Sequence, residues 1–461
     1  MKKLFGTDGI RGIAYKDITK ELVIKVASAI AYIFNKKDNG IKVIIGNDGR
    51  ESANMILSTL KEELLSCGIS VLDAGLIPTP GISYLVKYYN YDLGIMISAS
   101  HNPYEYNGIK IFDKEGYKLS DDVESNIEDL IFDNIKYSST KRGIILDSRD
   151  VIKDYGNHLL DRLNVTYDTF LDSLNKYNNN VNYNNLNIGI DASNGASSKV
   201  CEYIFSKLGS KYHIINNAPN GTNINNNCGS THPEVLSSYV INNKLDIGIA
   251  YDGDADRVIF IDELGNIING DYTLAIISND LKNKNRLNKN TIVGTILSNL
   301  GLLEYCKNND IEFITTNVGD KYVLEYLRDN NISLGGEEAG HIILKEYCNT
   351  GDGPLTSLIM LSILASTNTT FSNLTKIMHK YPEVHINIKV NNKNDFATSN
   401  IIEDSIKEIK NNFNGNYRLV IRPSGTEPLV RIVLEGEELK VLEESSNKIK
   451  SIIKNLNMEV V

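Results

Sequence analysis

The sequence predicts an α/β protein of three consecutive mixed-sheet domains followed by a smaller C-terminal α+β domain. Three observations carry that expectation. Strand-length apolar runs alternate with segments of helical apolar spacing up to about residue 368, and the alternation then gives way to longer β-rich runs. A chain of 461 residues also exceeds what one simple core organises.

The first domain, roughly 1 to 152, contains TKELVIKVASAIAYIFNKK, where Thr19 can cap a helix and Leu22, Val23, Val26, Ala27, Ile30 and Phe34 share one face. IKVIIG at 41–46 has strand length. ANMILSTLKEELLSCG returns to helix and stops at Gly68, and ISVLDAG and LGIMIS supply two further strands. In the second domain, 153 to 254, LNIGIDASNGASSKVCEYIFSKLG reads as strand, turn and helix, and LDIGIAYDGDADRVIFID as strand, acidic turn and strand. TIVGTILSNLGLLEYC and ISLGGEEAGHIIL repeat this grammar in the third, 255 to 368. The fourth, 369 to 461, holds EVHINIKV, a helix from about Asn400 to Asn411, YRLVIRPSGTEPLVRIVLEG and a terminal helix beginning near Glu438.

A formal net charge of -10 without long acidic tails argues against non-specific nucleic-acid binding, so local positive groups have to meet any anionic ligand. No run of about 18 apolar residues occurs, and MKKLFGTDGIRG has no apolar stretch of signal length behind its lysines, so neither membrane spanning nor export is expected. Cys67, Cys201, Cys228, Cys306 and Cys348 are odd in number, widely spaced and free of any CxxC. That pattern fits a reducing, cytoplasmic compartment better than a disulfide framework or a zinc ribbon. The asparagine runs at 175–187 and 220–227 read as polar loops without a chemical role.

The most specific string is YDGDADR at 251–257. Asp252, Asp254 and Asp256 alternate with Gly253 and Ala255, so extended backbone would turn all three carboxylates toward one hard cation. An EF-hand fits poorly, because Arg257 stands where its loop needs glycine. A solvated acidic turn stays open, although clustered negatives repel unless a cation or arginine joins them, and Arg257 adjoins. In VIRPSGTEPLVRI at 420–432, Arg422 and Arg431 flank a loop where Ser424, Gly425 and Thr426 offer hydroxyl and backbone donors. These are the ingredients of an anion nest, and equally of a turn with surface arginines. GGEEAGHIIL sets Glu337, Glu338 and His341 beside paired glycines, able to bind sugar hydroxyls or to face solvent; FGTDGIRG puts Thr7 and Arg11 in a similar turn.

GIMISASHNPYEYNGIKIF at 94–112 is a buried strand that turns polar at Ser98, with Ser100 and His101 at its carboxyl end, where ligands gather in such sheets. Adjacent Ser100 and His101 diverge in extended backbone and no G-x-S-x-G elbow exists, so Ser-His-Asp hydrolysis fits poorly. A serine acceptor, a three-carboxylate cation site and an arginine-bearing anion loop in separate domains together meet the needs of phosphoryl transfer. If Ser100 exchanges a phosphoryl group, Lys110 can take up the attacking hydroxyl's proton or offset phosphate charge.

In these residues the chain resembles the alpha-D-phosphohexomutases, over essentially its whole length and in motif order. SASHNP resembles their phosphoserine loop, DGDADR the metal loop, GGEEAGH the sugar loop, and RPSGTEP with Arg431 the phosphate clamp. The resemblance implies a central active-site cleft, Ser100 as phosphoryl carrier, and one Mg2+ per chain held by Ser100, Asp252, Asp254 and Asp256. It implies catalytic roles for Ser100, His101, Lys110 and Arg257, and substrate contacts from Thr7, Arg11, Lys321, Glu337, His341, Arg422, Ser424, Gly425, Thr426 and Arg431. The implied reaction moves phosphate between O6 and O1 of a sugar by way of a sugar 1,6-bisphosphate. FGTDGIRG and CGSTHPE at 228–234 are similar to the branch acting on hexosamine phosphates, whereas Ala339 stands where that branch commonly has serine. A cytoplasmic monomer or homodimer, without nucleic-acid or membrane partners, is implied.

Overall fold

The computed structural model describes residues 4–35, 40–174, 186–367, 369–389, 415–423, 429–455 and 459–460. The helix expected at 400–411 lies outside these residues. Thr19 caps the helix Lys20–Phe34, its hydroxyl accepting the Leu22 N–H at 3.2 Å, and Val23, Val26, Ala27 and Ile30 are wholly buried. Burial of such a face, about 1.5–3 kcal/mol for each large aliphatic side chain, is what holds a helix of this length.

The first sheet contains β1 (Phe5–Gly6), β2 (Gly9–Ile13), β3 (Lys42–Asn47), β4 (Ser70–Leu76), β5 (Leu93–Ile97) and β6 (Tyr106–Asp113), in the order β1-β2-β6-β5-β3-β4. The second contains β7 (Asn187–Asp191), β8 (Lys211–Ile215), β9 (Ile247–Tyr251), β10 (Val258–Asp262) and β11 (Ile267–Ile268), in the order β11-β10-β9-β7-β8. The third is β13-β12-β14-β15, from β12 (Thr291–Thr295), β13 (Glu312–Thr316), β14 (Leu334–Gly336) and β15 (Ile342–Leu344). All three mix parallel and antiparallel pairs. The fourth is antiparallel, in the order β17-β18-β16-β19, from β16 (Glu383–Lys389), β17 (Tyr417–Pro423), β18 (Leu429–Gly436) and β19 (Glu459–Val460).

One local device recurs in the first three sheets: a buried strand, a polar turn at its carboxyl end, and an antiparallel return. β5 returns as β6, β9 as β10 and β14 as β15. The turns carry Ser100, the three aspartates and Glu337. The second sheet therefore runs past residue 254, the boundary expected from sequence, because the acidic turn closes a hairpin within one sheet.

One apolar cluster runs through the first three domains, joining Phe112, Tyr155, Phe205, Phe260 and Leu358, with the helix Val151–Leu174 between the sheets; it also takes in Phe371 and Met378, which the boundary expected at 368 had placed in the fourth domain. The fourth domain has its own core of Ile386, Ile388, Ile432, Leu434 and Leu442. Polar bonds carry its junction with the third: Asn299 Nδ2 donates to Glu383 Oε1 at 2.6 Å, and Arg418 pairs with Glu435 while donating to the Ser298 carbonyl. All five cysteines are free, and no described helix is long and apolar enough to cross a membrane.

Asp271 lies buried beneath this junction, its Oδ2 accepting the Asn299 N–H at 2.7 Å and its Oδ1 without a hydrogen-bond partner. Burial, reinforced by the charge of Glu338, pushes its pKa up to about 8. An unfolded aspartate loses its proton near pH 4, so from about pH 4 to 8 the unfolded state binds fewer protons than the folded one and stability falls as pH rises. Asp271→Asn is expected to flatten that fall, as read by melting temperature against pH for variant and wild type.

Candidate active site

β5 is buried along its whole length and delivers Ser100 into a turn with φ +52°, a left-handed geometry that costs a non-glycine residue about 1–3 kcal/mol. The surroundings hold it there. Ser98 Oγ accepts the Ser100 N–H at 2.8 Å and donates to Asp48 Oδ2 at 2.7 Å. Arg50, 1% exposed, donates from Nε to the same Asp48 oxygen and from its terminal nitrogens to the carbonyls of Ser100, Asn102, Pro103 and Tyr106. This left-handed turn also brings His101 Nδ1 to 3.4 Å from Ser100 Oγ. The expected divergence of the two side chains fails because Ser100 is not extended. Burial, with Arg257 and Arg11 nearby, lowers the His101 pKa to about 4, so the ring is neutral at physiological pH.

Ser100 Oγ donates to Asp252 Oδ2 at 2.6 Å. Asp252, Asp254 and Asp256 are buried, with ligand oxygens within 4.8 Å of one another. Their convergence comes from a turn rather than from extended alternation: Ala255 has φ +56° and its N–H bonds to the Asp252 carbonyl at 3.0 Å. Gly253 is needed because a Cβ there would stand 2.7 Å from both the Ser100 carbonyl and Asn225 Nδ2.

Lys110, 1% exposed, is the hub of the charges, 2.8 Å from Asp254 Oδ2, 2.9 Å from Asp8 Oδ2 and 3.3 Å from Asp256 Oδ2. Burial disfavours its charge, but Asp254, Asp8 and Asp256 outweigh that and hold its pKa well above the ordinary value. Burial also raises Asp256, where Lys110 and His341 win and keep the carboxyl well below the usual range. Asp252 goes the other way: burial and its neighbours Asp256 and Asp254 push it well above. Thr79 donates to Asp254 Oδ2, and the Arg257 N–H to Asp252 Oδ1 at 3.2 Å. Asp254 Oδ1 and Asp256 Oδ1 are buried without a hydrogen-bond partner. Clustered carboxylates with uncommitted hard oxygens suit a hard divalent cation.

Around this centre, Arg257 Nε lies 3.9 Å from Asp256 Oδ1, and Arg11 pairs with Asp8. Glu337 Oε1 accepts the Gly319 N–H at 3.1 Å, and burial raises its pKa against the pull of His341 and Arg257. Its neighbour Glu338 is engaged elsewhere, by Asn269 at 2.9 Å and Lys380 at 2.8 Å. His341 is buried behind the acidic turn, Nε2 accepting the Gly351 N–H at 2.9 Å and Nδ1 3.7 Å from Asp256. Arg422 and Arg431 face each other in register on β17 and β18, and the Arg422 guanidinium has its pKa lowered by burial and by Arg431, with Glu337 opposing. Like charges so opposed are destabilising unless an anion lies between them. Thr7 is exposed, and Lys321 pairs with Asp121 across the junction of the first and third domains. Ser424, Gly425 and Thr426 lie outside the described residues.

Several groups that build this site escape sequence reasoning. Lys118 bridges Asp8 to Asp320, a contact between distant segments with no local signature. Asp48 and Arg50 follow β3 directly, and their partners Ser98 and the Ser100 carbonyl lie 50 residues further along the chain. Asn225, whose Nδ2 donates to the Ser100 carbonyl at 2.9 Å, sits in an asparagine run read as an inert loop.

The chain matches the four domain families of phosphoglucomutase/phosphomannomutase: alpha/beta/alpha domain I at 2–138, domain II at 168–265, domain III at 269–381 and the C-terminal domain at 386–450. It is 42% identical over 461 residues to a phosphoglucosamine mutase of Caldicellulosiruptor bescii and 44% over 457 residues to one of Clostridium botulinum, each alignment covering 99% of both chains. Among solved structures, a phosphoglucomutase/phosphomannomutase family protein of Burkholderia thailandensis superposes with a TM-score of 0.78 at 21% identity, covering 99% of this chain and 98% of that one. An Aspergillus fumigatus N-acetylphosphoglucosamine mutase, solved with GlcNAc-6P and magnesium, shares the fold at a TM-score of 0.64 and 16% identity, over 99% and 96% of the chains. With all four domains matched in order, this chain belongs to the phosphoglucomutase/phosphomannomutase family of alpha-D-phosphohexomutases.

Proposed function

We propose that the chain is a phosphoglucosamine mutase, interconverting glucosamine 6-phosphate and glucosamine 1-phosphate through phospho-Ser100 and a 1,6-bisphosphate. The observation that carries this reading is the Ser100 hydroxyl 2.6 Å from Asp252 in a buried three-carboxylate cluster, in a chain whose 42–44% identical relatives bear that name.

O1 of glucosamine 6-phosphate attacks the phosphorus on Ser100; the P–Oγ bond breaks as the P–O1 bond forms, and the O1 proton leaves. That proton is balanced by one reaching the departing serine oxygen, and His101, its Nδ1 3.4 Å from Ser100 Oγ, is placed to relay it. Lys110 is charged and tied to three carboxylates, so it offsets phosphate charge and does not serve as the base. Arg257 lies within reach to orient the phosphoryl group. The bisphosphate then reverses, returns its 6-phosphate to Ser100 and leaves as glucosamine 1-phosphate. Through both halves the opposed Arg422 and Arg431, with Arg11 nearer Ser100, grip phosphate, and Glu337 accepts bonds from sugar hydroxyls; Ser424, Gly425 and Thr426 are assigned to the same grip, and Thr7 to the cleft edge. His341, held by Gly351, acts on Asp256 rather than on sugar, and Lys321 meets a substrate phosphate only on leaving Asp121. Asp252, Asp254 and Asp256, with Ser100, would hold Mg2+, which when bound supplies charge neutralisation beside the transferring phosphoryl group. Five free cysteines suit a reducing cytoplasm.

Phosphorylated protein with magnesium is expected to show its highest kcat/KM on glucosamine 6-phosphate when compared with glucose and mannose 6-phosphates. One observation favours a second reading, phosphoglucomutase/phosphomannomutase: the sugar loop carries Ala339, without a hydroxyl, beside Glu338, already engaged by Lys380. A preference of about tenfold or more for glucose or mannose, some 1.4 kcal/mol in transition-state binding, selects that reading instead.

A further inference from the structure

We propose that Asn225, a second-domain residue, is a positioning residue for phosphoryl transfer at Ser100, forming with Arg50 a two-sided clamp on the serine turn. The inference rests on the phosphoserine reading above.

Both side chains bridge the same two carbonyls. Arg50 donates to Ser100 O and Asn102 O at 2.8 Å each, from the first domain. Asn225 Nδ2 donates to the same oxygens at 2.9 and 3.1 Å, from the second. Asn225 is 8% exposed and its Oδ1 has no hydrogen-bond partner, so the side chain is kept there for its donor and not for its acceptor.

Its own anchorage leads back to the acidic turn. The Asn225 N–H bonds to the Ser193 carbonyl at 3.0 Å, and Ser193 Oγ donates to the carbonyl of Tyr251, the residue before Asp252, at 2.6 Å. Ser100 and Asp252 are thus fixed from one block of backbone, and the clamp sets the separation between phosphoryl carrier and carboxylate cluster. Arg50 alone would hold the turn only to its own domain. Because Ser100 sits at φ +52°, the turn gains by relaxing once either side lets go.

Asn225→Asp keeps the shape and removes the donor; Asn225→Ala removes both. Each is expected to lower kcat on glucosamine 6-phosphate by about tenfold or more while KM stays within about twofold, because the phosphate and sugar contacts lie on other domains. A parallel readout is the rate at which glucose 1,6-bisphosphate phosphorylates Ser100, followed by intact mass, which is expected to slow by a similar factor and does not depend on sugar preference. Wild-type rates in Asn225→Asp overturn the inference, as does a loss confined to KM or matched by a fall in melting temperature, which marks a packing role. A wild type that exchanges phosphate at Ser100 but favours another hexose removes only the glucosamine assignment. A wild type never phosphorylated at Ser100 overturns the phosphoserine reading and this clamp with it.

Discussion

Replacing Ser100 with alanine is expected to lower turnover by about four orders of magnitude or more, the loss that removal of a nucleophile brings. No neighbour substitutes for it. Ser98 Oγ is buried and already spent on Asp48 and the Ser100 N–H, and the remaining turn residues carry no hydroxyl until Tyr104. The variant retains the Arg50 and Asn225 bonds, since these reach backbone carbonyls, so the fold is expected to survive. Mutase assays and intact mass check both halves: no phosphate adduct forms with glucose 1,6-bisphosphate, and the melting temperature stays near that of wild type. Turnover at the wild-type rate would show that Ser100 does not carry the phosphoryl group.

Lys110→Met is expected to have the largest effect on stability. The ammonium is the shared partner of Asp8, Asp254 and Asp256, and its removal leaves buried carboxylates facing one another. Breaking such a set from one side costs about 3–5 kcal/mol, far more than an exposed ion pair contributes. Urea unfolding in a chelator reads the loss. Repeating it with magnesium is expected to recover part of the difference, because a cluster stripped of its ammonium is more negative, binds the cation more tightly than the wild-type one and so gains more by mass action. Equal stability of variant and wild type in chelator would contradict the hub geometry. Arginine is no remedy at this position, since a planar fork cannot reproduce a compact charge among three acids.

The strands and the order of the four domains are legible because each follows from local rules: apolar runs of the right length, turns of small and polar residues, caps such as Thr19. Ser100 and the three aspartates are legible because each stands at the carboxyl end of an apolar strand. How they meet is not. The extended backbone assumed for Asp252 to Asp256 gives way to a turn through Ala255, and the assumed divergence of Ser100 and His101 fails for the same reason, a left-handed residue that only tertiary contacts enforce. Glu337 and Glu338 are adjacent identical letters; which one faces the cleft depends on Lys380 and Asn269, far away in sequence. Asn225 is hidden by composition, since nothing local distinguishes one buried asparagine from its exposed neighbours.

The separate core of the fourth domain divides the molecule into two mechanical bodies. Ser100 and the three aspartates lie on a fused three-domain body, whereas the paired arginines ride on a body joined to it through hydrogen bonds at Ser298, Asn299 and Leu300. Such contacts exchange readily for water, so on the proposed reading the arginine grip is expected to loosen without unpacking the core around Ile432 and Leu434. Ser100 and the three aspartates, all on the other body, are expected to keep their spacing while the arginines move.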